Sequence, residues 1–563
     1  MRYALTFSFL AVFLNCLAQE VKEPAVATEP RQVQLPYNRI IQPAGIQIFF
    51  GDQANENHAL ETVVSPDRKW IAVLERTSIV FISTEDNSIK YTLRNSLHPL
   101  LRGANNTYSG IIWHQTDGNP EIYWSVVGND DRSFVASAVW DGTSATFGRI
   151  LEYGKEEPAD MALPNELLIS SESERDYLYV VLNGNNMLIK QDLETGDTLW
   201  ITNPGVAPYG LTMAGGKIYV TNWAGQHPLP GDPEVAGVPW GSARVNNKAG
   251  GSTREGSVTV IDPASGGIIK EIEVGLHPNE IISDRKGRYV YVTNSNSDNV
   301  SVLDTRTDEI SETISVRLQP EINPFFGDSP NGLCLSPDQK SLYVANGMDN
   351  ALAVIKLSRK ASRKGSGKNS LMQGFIPTGA YPSGLCLTPD GTLYVANLEA
   401  SGANIGMNVP GTGNLIYNSH HMLASVSVIP VPDMKNLKAY TDTVIAVNDL
   451  SRATLARDLP RPGIAPKPVP DRIGEPSVFK HVVYIIKENR TYDQILGDME
   501  QGKGDPGLCT YGALITPNTH KLCEEFMLLD NFMASGKCSA EGHQWTDASI
   551  VTDYIEKNMR AWF

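Results

Sequence analysis

The chain has 563 residues, with 47 Lys and Arg against 63 Asp and Glu and a formal net charge of −16. That length exceeds one ordinary domain and supplies material for a large core. So acidic a chain offers no basic surface to a nucleic acid, which excludes that class of partner.

At the N-terminus, Arg2 precedes an apolar stretch, Tyr3–Leu14, and then Cys16-Leu17-Ala18. Small residues at Cys16 and Ala18 suit cleavage before Gln19, so residues 1–18 are predicted to be a signal peptide. The expected location is therefore periplasmic or secreted. The apolar stretch is short for a membrane span, and no later segment is apolar enough, so no transmembrane segment is expected. Beyond it lie Cys334, Cys386, Cys509, Cys523 and Cys538. The first two share a Gly-Leu-Cys-Leu context and read as small buried strand residues. The last three allow one disulfide, whose pairing the spacing leaves open.

Between residues 31 and 449 a unit recurs. Its clearest copies are Lys217-Ile-Tyr-Val-Thr-Asn222, Tyr289-Val-Tyr-Val-Thr-Asn294, Leu342-Tyr-Val-Ala-Asn346 and Leu393-Tyr-Val-Ala-Asn397. A turn such as Ser336-Pro-Asp-Gln339 comes before each, and before that a Pro-x-Gly/Glu-Leu/Ile lead-in such as Pro330-Asn-Gly-Leu333. Strands such as Asn299–Asp304 and Glu309–Ile314 follow. Four short alternating strands per unit, parted by Asp, Gly, Pro and Asn turns, predict propeller blades. Weaker copies at Ser65–Val73, Pro120–Trp124 and Tyr177–Val181 bring the expected number to about seven. Ser425–Ile429 and Thr443–Val447, with Ile46–Phe50, are expected to close the ring.

These copies resemble the YVTN family of β-propeller repeats, through Tyr219–Asn222 and Tyr291–Asn294. The resemblance implies an architecture, since propellers host many functions. The propeller is expected to bind a ligand or a surface partner.

Two insertions interrupt the period, at Gln226–Arg254 and at Ala400–His421. Both read as surface loops, and His420-His421 is a poor metal pair because neighbours on a strand face opposite ways. The basic run Lys356–Lys368 reads as a solvated Ser/Gly-rich loop. Residues 450–476, dense in proline from Asp458 to Pro470, form an extended linker.

The final segment, residues 477–563, carries the chemistry. His481–Ile486 is apolar and β-branched and predicts a buried parallel strand, with Lys487-Glu488-Asn489-Arg490 at its carboxyl end. Lys521–Phe526 reads as helical, Met527–Leu529 as a second strand, and Ala548–Met559 as helical again. Between them lies Ser535-Gly-Lys-Cys-Ser-Ala-Glu-Gly-His543, read as a turn.

Glu488–Asp493, Leu529-Asp-Asn-Phe532 and the Ser539-bearing turn resemble the phosphoesterase family of phospholipases C and acid phosphatases, within the alkaline-phosphatase-like superfamily. The resemblance implies that Glu488 is a metal ligand, that Asn489 contacts phosphoryl group or metal, and that Ser539 is the nucleophile. His543 would stand beside them. A bound cation would stabilise the serine alkoxide and the phosphate oxygens. Zn²⁺ or another transition metal suits such ligands.

The expected fold is thus mainly β, a propeller followed by the N-terminal part of an α/β domain. The expected function is exported hydrolysis of a phosphate monoester or a phospholipid. The family's later Asp and His ligands would fall beyond Phe563, so this chain is expected to be a truncated, inactive form. The alternative is a non-catalytic propeller that binds a ligand and carries a vestigial C-terminal segment.

Overall fold

The computed structural model describes residues 26–562, apart from 29–31, 36–38, 129, 131, 173–174, 233–234, 238–243, 247–252, 321–325, 359–368, 404–405, 409–414, 418–419, 449–457, 533–535 and 537. The signal-peptide prediction and most of the basic run lie outside the described residues. No described helix is long and apolar enough to cross a membrane.

Seven antiparallel sheets follow one another around a central channel. Blade one spans Ala59 to Arg94, blade two Asn105 to Tyr153, blade three Pro164 to Thr202 and blade four Pro208 to Val274. Blade five spans Pro278 to Ser315, blade six Pro330 to Pro377, and blade seven Ala380 to Pro430. The ring closes in blade seven, where Ile46–Phe50 pairs antiparallel with Ala424–Pro430 and becomes its fourth strand. Each insertion folds back as a two-stranded hairpin, Val235–Gly237 with Arg244–Asn246 and Gly406–Asn408 with Leu415–Tyr417.

The repeated tetrapeptide has a physical reason at each position. Its Tyr and Val lie in the packed second strand of each blade, buried on both faces. The Thr hydroxyl reaches the next blade: Thr221 donates to the Asn279 carbonyl at 2.9 Å and Thr293 to the Asn331 carbonyl at 2.7 Å. The Asn amide ties strand two to strand three, as Asn222 donates to Ser257 and Thr259 and Asn397 to Ser425 and Ser427. The buried hydroxyl and amide donors are tolerable because they are satisfied in this way, whereas the Oδ1 atoms of Asn222, Asn294, Asn346 and Asn397 make no hydrogen bond.

The remaining ring-closing expectation is corrected. Thr443–Val447 lies in helix α1, Met434–Asn448, which packs on the outer strand of blade six. Its β-branched residues favour a strand locally, but Leu437, Thr441 and Val444 recur at helical spacing and cover that edge.

The C-terminal segment differs more. Among its described residues there are four helices and no strand: α2 Tyr492–Leu496, α3 Pro517–Glu525, α4 Ser539–Ala548 and α5 Asp553–Trp562. His481–Ile486 is irregular and open to solvent, with Val482 and Val483 84% and 85% exposed. Met527–Leu529 is likewise exposed and unpaired with any strand. A parallel strand is stable only between partners that cover both faces, and no described strand lies beside these runs. An alkaline-phosphatase-like sheet is therefore not formed by the described residues. Cys509, Cys523 and Cys538 are all free thiols, so the expected disulfide is absent. Cys334 and Cys386 sit in the innermost strands of blades six and seven, where burial pushes both thiols up.

Candidate functional site

In every blade the innermost strand carries one position at the same register, which follows the Pro-x lead-in in blades three to seven and Ala59-Leu60 and Tyr108-Ser109 in blades one and two. Around the ring it reads Glu61, Gly110, Glu166, Gly210, Glu280, Gly332 and Gly384. The glycines let neighbouring blades approach. A Cβ at Gly210 would lie 2.6 Å from the Asn279 carbonyl oxygen, and one at Gly384 would lie 2.6 Å from the Glu61 Cα. Blades one, three and five instead send a carboxylate into the channel. One oxygen from each of Glu61, Glu166 and Glu280 lies within 4.8 Å of the others.

Three carboxylates this close and this buried resist ionisation. Burial, then the charge of Glu280, pushes Glu61 up to about 8, against the pull of the Gly110 N–H that donates to it at 3.0 Å. Burial pushes Glu280 up to about 7, opposed by the Lys557 ammonium. Glu166 is raised by burial first and by the other two carboxylates next.

The channel mouth is filled by α5. Asp553 is fully buried there, accepting from Asn279 Nδ2 and from the Tyr381 hydroxyl, each at 2.5 Å. One turn on, Lys557 pairs with Asp553 at 3.3 Å, and its side chain is 4% exposed. Tyr554 packs edge-on against Trp223, which stacks between Tyr209 and His277.

Burial beside Trp223 pulls the His277 imidazole down to about 4, with the Asp553 charge opposing. The folded protein therefore holds His277 neutral where an exposed histidine, with a pKa near 6.5, takes a proton. Stability contributed here is complete above pH 6.5 and is lost as pH falls toward 4. Thermal denaturation between pH 7 and 4 is expected to lose up to about 3 kcal/mol through this group. His277→Phe should flatten that part of the profile, and an unchanged slope would show that the loss comes from other groups.

The residues singled out in the sequence lie on the C-terminal segment. Glu488 and His543 come together, with His543 Nε2 3.4 Å from Glu488 Oε2. Ser539 opens α4 and His543 follows one turn later, so both occupy the same helix face. Ser539 thus stands at a helix N-terminus rather than in a turn. Asn489, next to Glu488, is exposed. Arg490 does not pair with Glu488; it donates to the Asn489 carbonyl and lies over the Tyr511 ring. Glu488 and His543 are a carboxylate and an imidazole, donor types that can hold a cation such as Zn²⁺. In the propeller, His420 pairs with Glu56, which also holds His58 and Arg76, so that histidine anchors an insertion.

Residues 273–406 match the sequence model of the SMP-30/gluconolactonase/LRE-like region. The match spans blade five, blade six and the first two strands of blade seven, well under half of the chain. Glu280 falls inside it, whereas Glu61 and Glu166 do not. No curated protein matches the chain. Among solved structures, the hydrazine synthase of Kuenenia stuttgartiensis is 15% identical over 64% of this chain and 96% of that one, with a TM-score of 0.42. A putative 6-phosphogluconolactonase from Bacteroides uniformis is 13% identical, over 68% and 98%, with a TM-score of 0.38. The Cps50 (Swd1) β-propeller domain of Myceliophteria thermophila is 9% identical, over 67% and 97%, with a TM-score of 0.41. The family match ends before the C-terminal segment, so the phosphoesterase resemblance there rests on its own motifs.

Proposed function

We propose that the segment after the propeller is built for metal-dependent hydrolysis of phosphate esters in an exported protein. The supporting observation is the meeting of Glu488 with His543, one helical turn from Ser539, although 55 residues separate Glu488 from His543 in sequence. In this reading Glu488 and His543 hold the cation and Ser539 attacks phosphorus, with Asn489 beside the phosphoryl oxygens. The cation would lower the cost of forming the serine alkoxide and offset charge on the transferred group. Phosphate monoesters and phospholipid headgroups share that chemistry.

The experiment measures Zn²⁺ binding by calorimetry, with and without inorganic phosphate. Glu488→Gln and His543→Ala are each expected to weaken Zn²⁺ binding by at least about tenfold. Phosphate should tighten it, and Ser539→Ala should reduce that tightening. Zn²⁺ binding indifferent to phosphate would sink the phosphoester reading. A catalytic metal normally takes three or four protein ligands, so turnover of p-nitrophenyl phosphate by the two described here is expected to be below detection. Turnover that Ser539→Ala abolishes would overturn that expectation.

A second reading, the propeller as a ligand-binding module, is favoured by the three carboxylates that converge in its channel. A lactone-hydrolysing reading from the family match has less support, because two of those carboxylates lie outside the matched residues.

A further inference from the structure

We propose that the cavity between blades seven and one binds a small organic amine, whose ammonium group pairs with Glu75. This cavity shares no lining residue with the channel carboxylates or with the C-terminal segment. The proposal therefore stands apart from both the channel and the phosphoester readings.

Blade one breaks the repeat at Glu75. In the strand register Glu75 faces Ala59, as Asn222 faces Pro208, Asn294 faces Pro278 and Asn346 faces Pro330. Blades four to seven thus place a neutral amide where blade one places a carboxylate. Part of the amide's task survives the exchange. Glu75 Oε2 accepts from the Ser78 hydroxyl at 2.7 Å and from the Thr77 N–H and hydroxyl at 3.0 and 3.1 Å, which again ties the second strand to the third. The other oxygen, Oε1, is buried and accepts from nothing. An orphaned amide oxygen is neutral, whereas an orphaned carboxylate oxygen leaves charge without a partner and costs far more.

Glu75 lines a cavity of about 220 Å³. Phe50 of blade seven, Val80 of blade one and Ala104, before blade two, give it buried apolar walls. Asn95, 1% exposed, also lines it, and its Oδ1 likewise has no donor. At the edge Asp52, Thr77 and Ser96 are exposed, so the space opens to solvent. Its volume suits several waters or one small organic molecule.

The ligand class follows by elimination. Asp52 and Arg94 bring one charge of each sign to the lining, so Glu75 makes the cavity net negative. A neutral polyol would leave the Glu75 charge uncompensated. A guanidinium pairs best with both carboxylate oxygens, and Oε2 is already occupied. A bare metal ion would leave the apolar walls unfilled. An ammonium brings three donors to a site with two unpartnered acceptors, and its carbon chain covers Phe50, Val80 and Ala104. Burial raises the Glu75 carboxyl above its ordinary range, against the pull of the Ser78 and Thr77 hydrogen bonds, and a bound ammonium would hold it ionised.

The test is calorimetric titration of the whole chain with butylammonium, and with 1-butanol as the neutral molecule of the same shape. Butylammonium is expected to bind at least about tenfold more tightly than butanol, and Glu75→Gln should weaken it by at least about tenfold. Glu75→Asn gives blade one the residue of blades four to seven, so it supplies a folded variant even if Glu75→Gln misfolds. It too should lose butylammonium by at least about tenfold. No binding of butylammonium to the unaltered chain would overturn the proposal. Butanol binding as tightly, or either variant keeping the affinity of the unaltered chain, would overturn it as well.

Discussion

Asp553→Ala is expected to strip α5 from the propeller while leaving the seven blades folded. Asp553 accepts from Asn279 and Tyr381 and pairs with Lys557, with no solvent to replace any of them. Removing one member of a buried charge pair costs about 3–5 kcal/mol, because the surviving partners are left unsatisfied. Amide exchange at residues 553–557 should therefore accelerate by about a hundred- to a thousandfold. Exchange in the second strands of the blades, such as Tyr289–Asn294, should not change, because their hydrogen bonds lie within their own sheets. If both regions accelerate together, α5 is part of the propeller's cooperative unit rather than a removable plug.

Trp140→Ala is expected to be the most damaging single change to the ring itself. Trp140, on the third strand of blade two, stacks on Phe81 of blade one at 4.2 Å and meets Trp70 edge-on at 5.0 Å. Tyr91 and Trp113 complete the group. Hydrogen bonds also cross this junction, from Asn106 to the Glu75 and Ser78 carbonyls and from the Trp113 indole N–H to the Val63 carbonyl, and the ring cluster supplies its apolar packing. Truncating a buried tryptophan costs about 3–5 kcal/mol in lost burial and cavity formation, read as a lower denaturation midpoint. Trp140→Phe should recover most of that loss, since the Trp140 indole N–H has no partner to lose. A loss below about 1 kcal/mol for Trp140→Ala would show that the junction is held elsewhere.

The propeller was legible because its signal is repeated and local. Pro330-Asn-Gly-Leu333, the Tyr-Val-Thr-Asn tetrapeptides and the intervening turns each specify a strand or its end, and seven copies reinforce one another. Closure through Ser425–Ile429 and Ile46–Phe50 was readable as well, since both runs alternate. Thr443–Val447 misled because five β-branched and small residues favour a strand, while the helical spacing of Leu437, Thr441 and Val444 appears only over a longer window. His481–Ile486 misled for another reason. Its composition is that of a buried strand, but composition cannot supply the neighbours that a strand requires.

The site was legible in parts. Glu488, Ser539 and His543 were chosen by motif; the structure brings His543 to Glu488 and sets Ser539 on the same helix as His543, while their roles stay with the proposal. The channel glutamates were present in the lead-in, where Glu alternates with Gly, as in Pro278-Asn-Glu280 beside Pro330-Asn-Gly332. Aligning all seven copies at that register would have shown the carboxylates facing one axis. Lys557 and Asp553 left no such trace, because only the docking of α5 brings them to the channel.

The pairing of Ile46–Phe50 with Ala424–Pro430 has a consequence during synthesis. A ribosome adds about 5–20 residues each second, so roughly 380 residues and about 20–80 seconds separate the two partners. Throughout that interval the early strand, Ile-Gln-Ile-Phe-Phe, has only Val26–Thr28 beside it, its other edge is unpaired, and it has the composition of an aggregating segment. The six preceding blades can fold as they emerge, but the circle waits for its oldest strand. A cell that makes this protein must keep that strand covered for nearly the whole of translation.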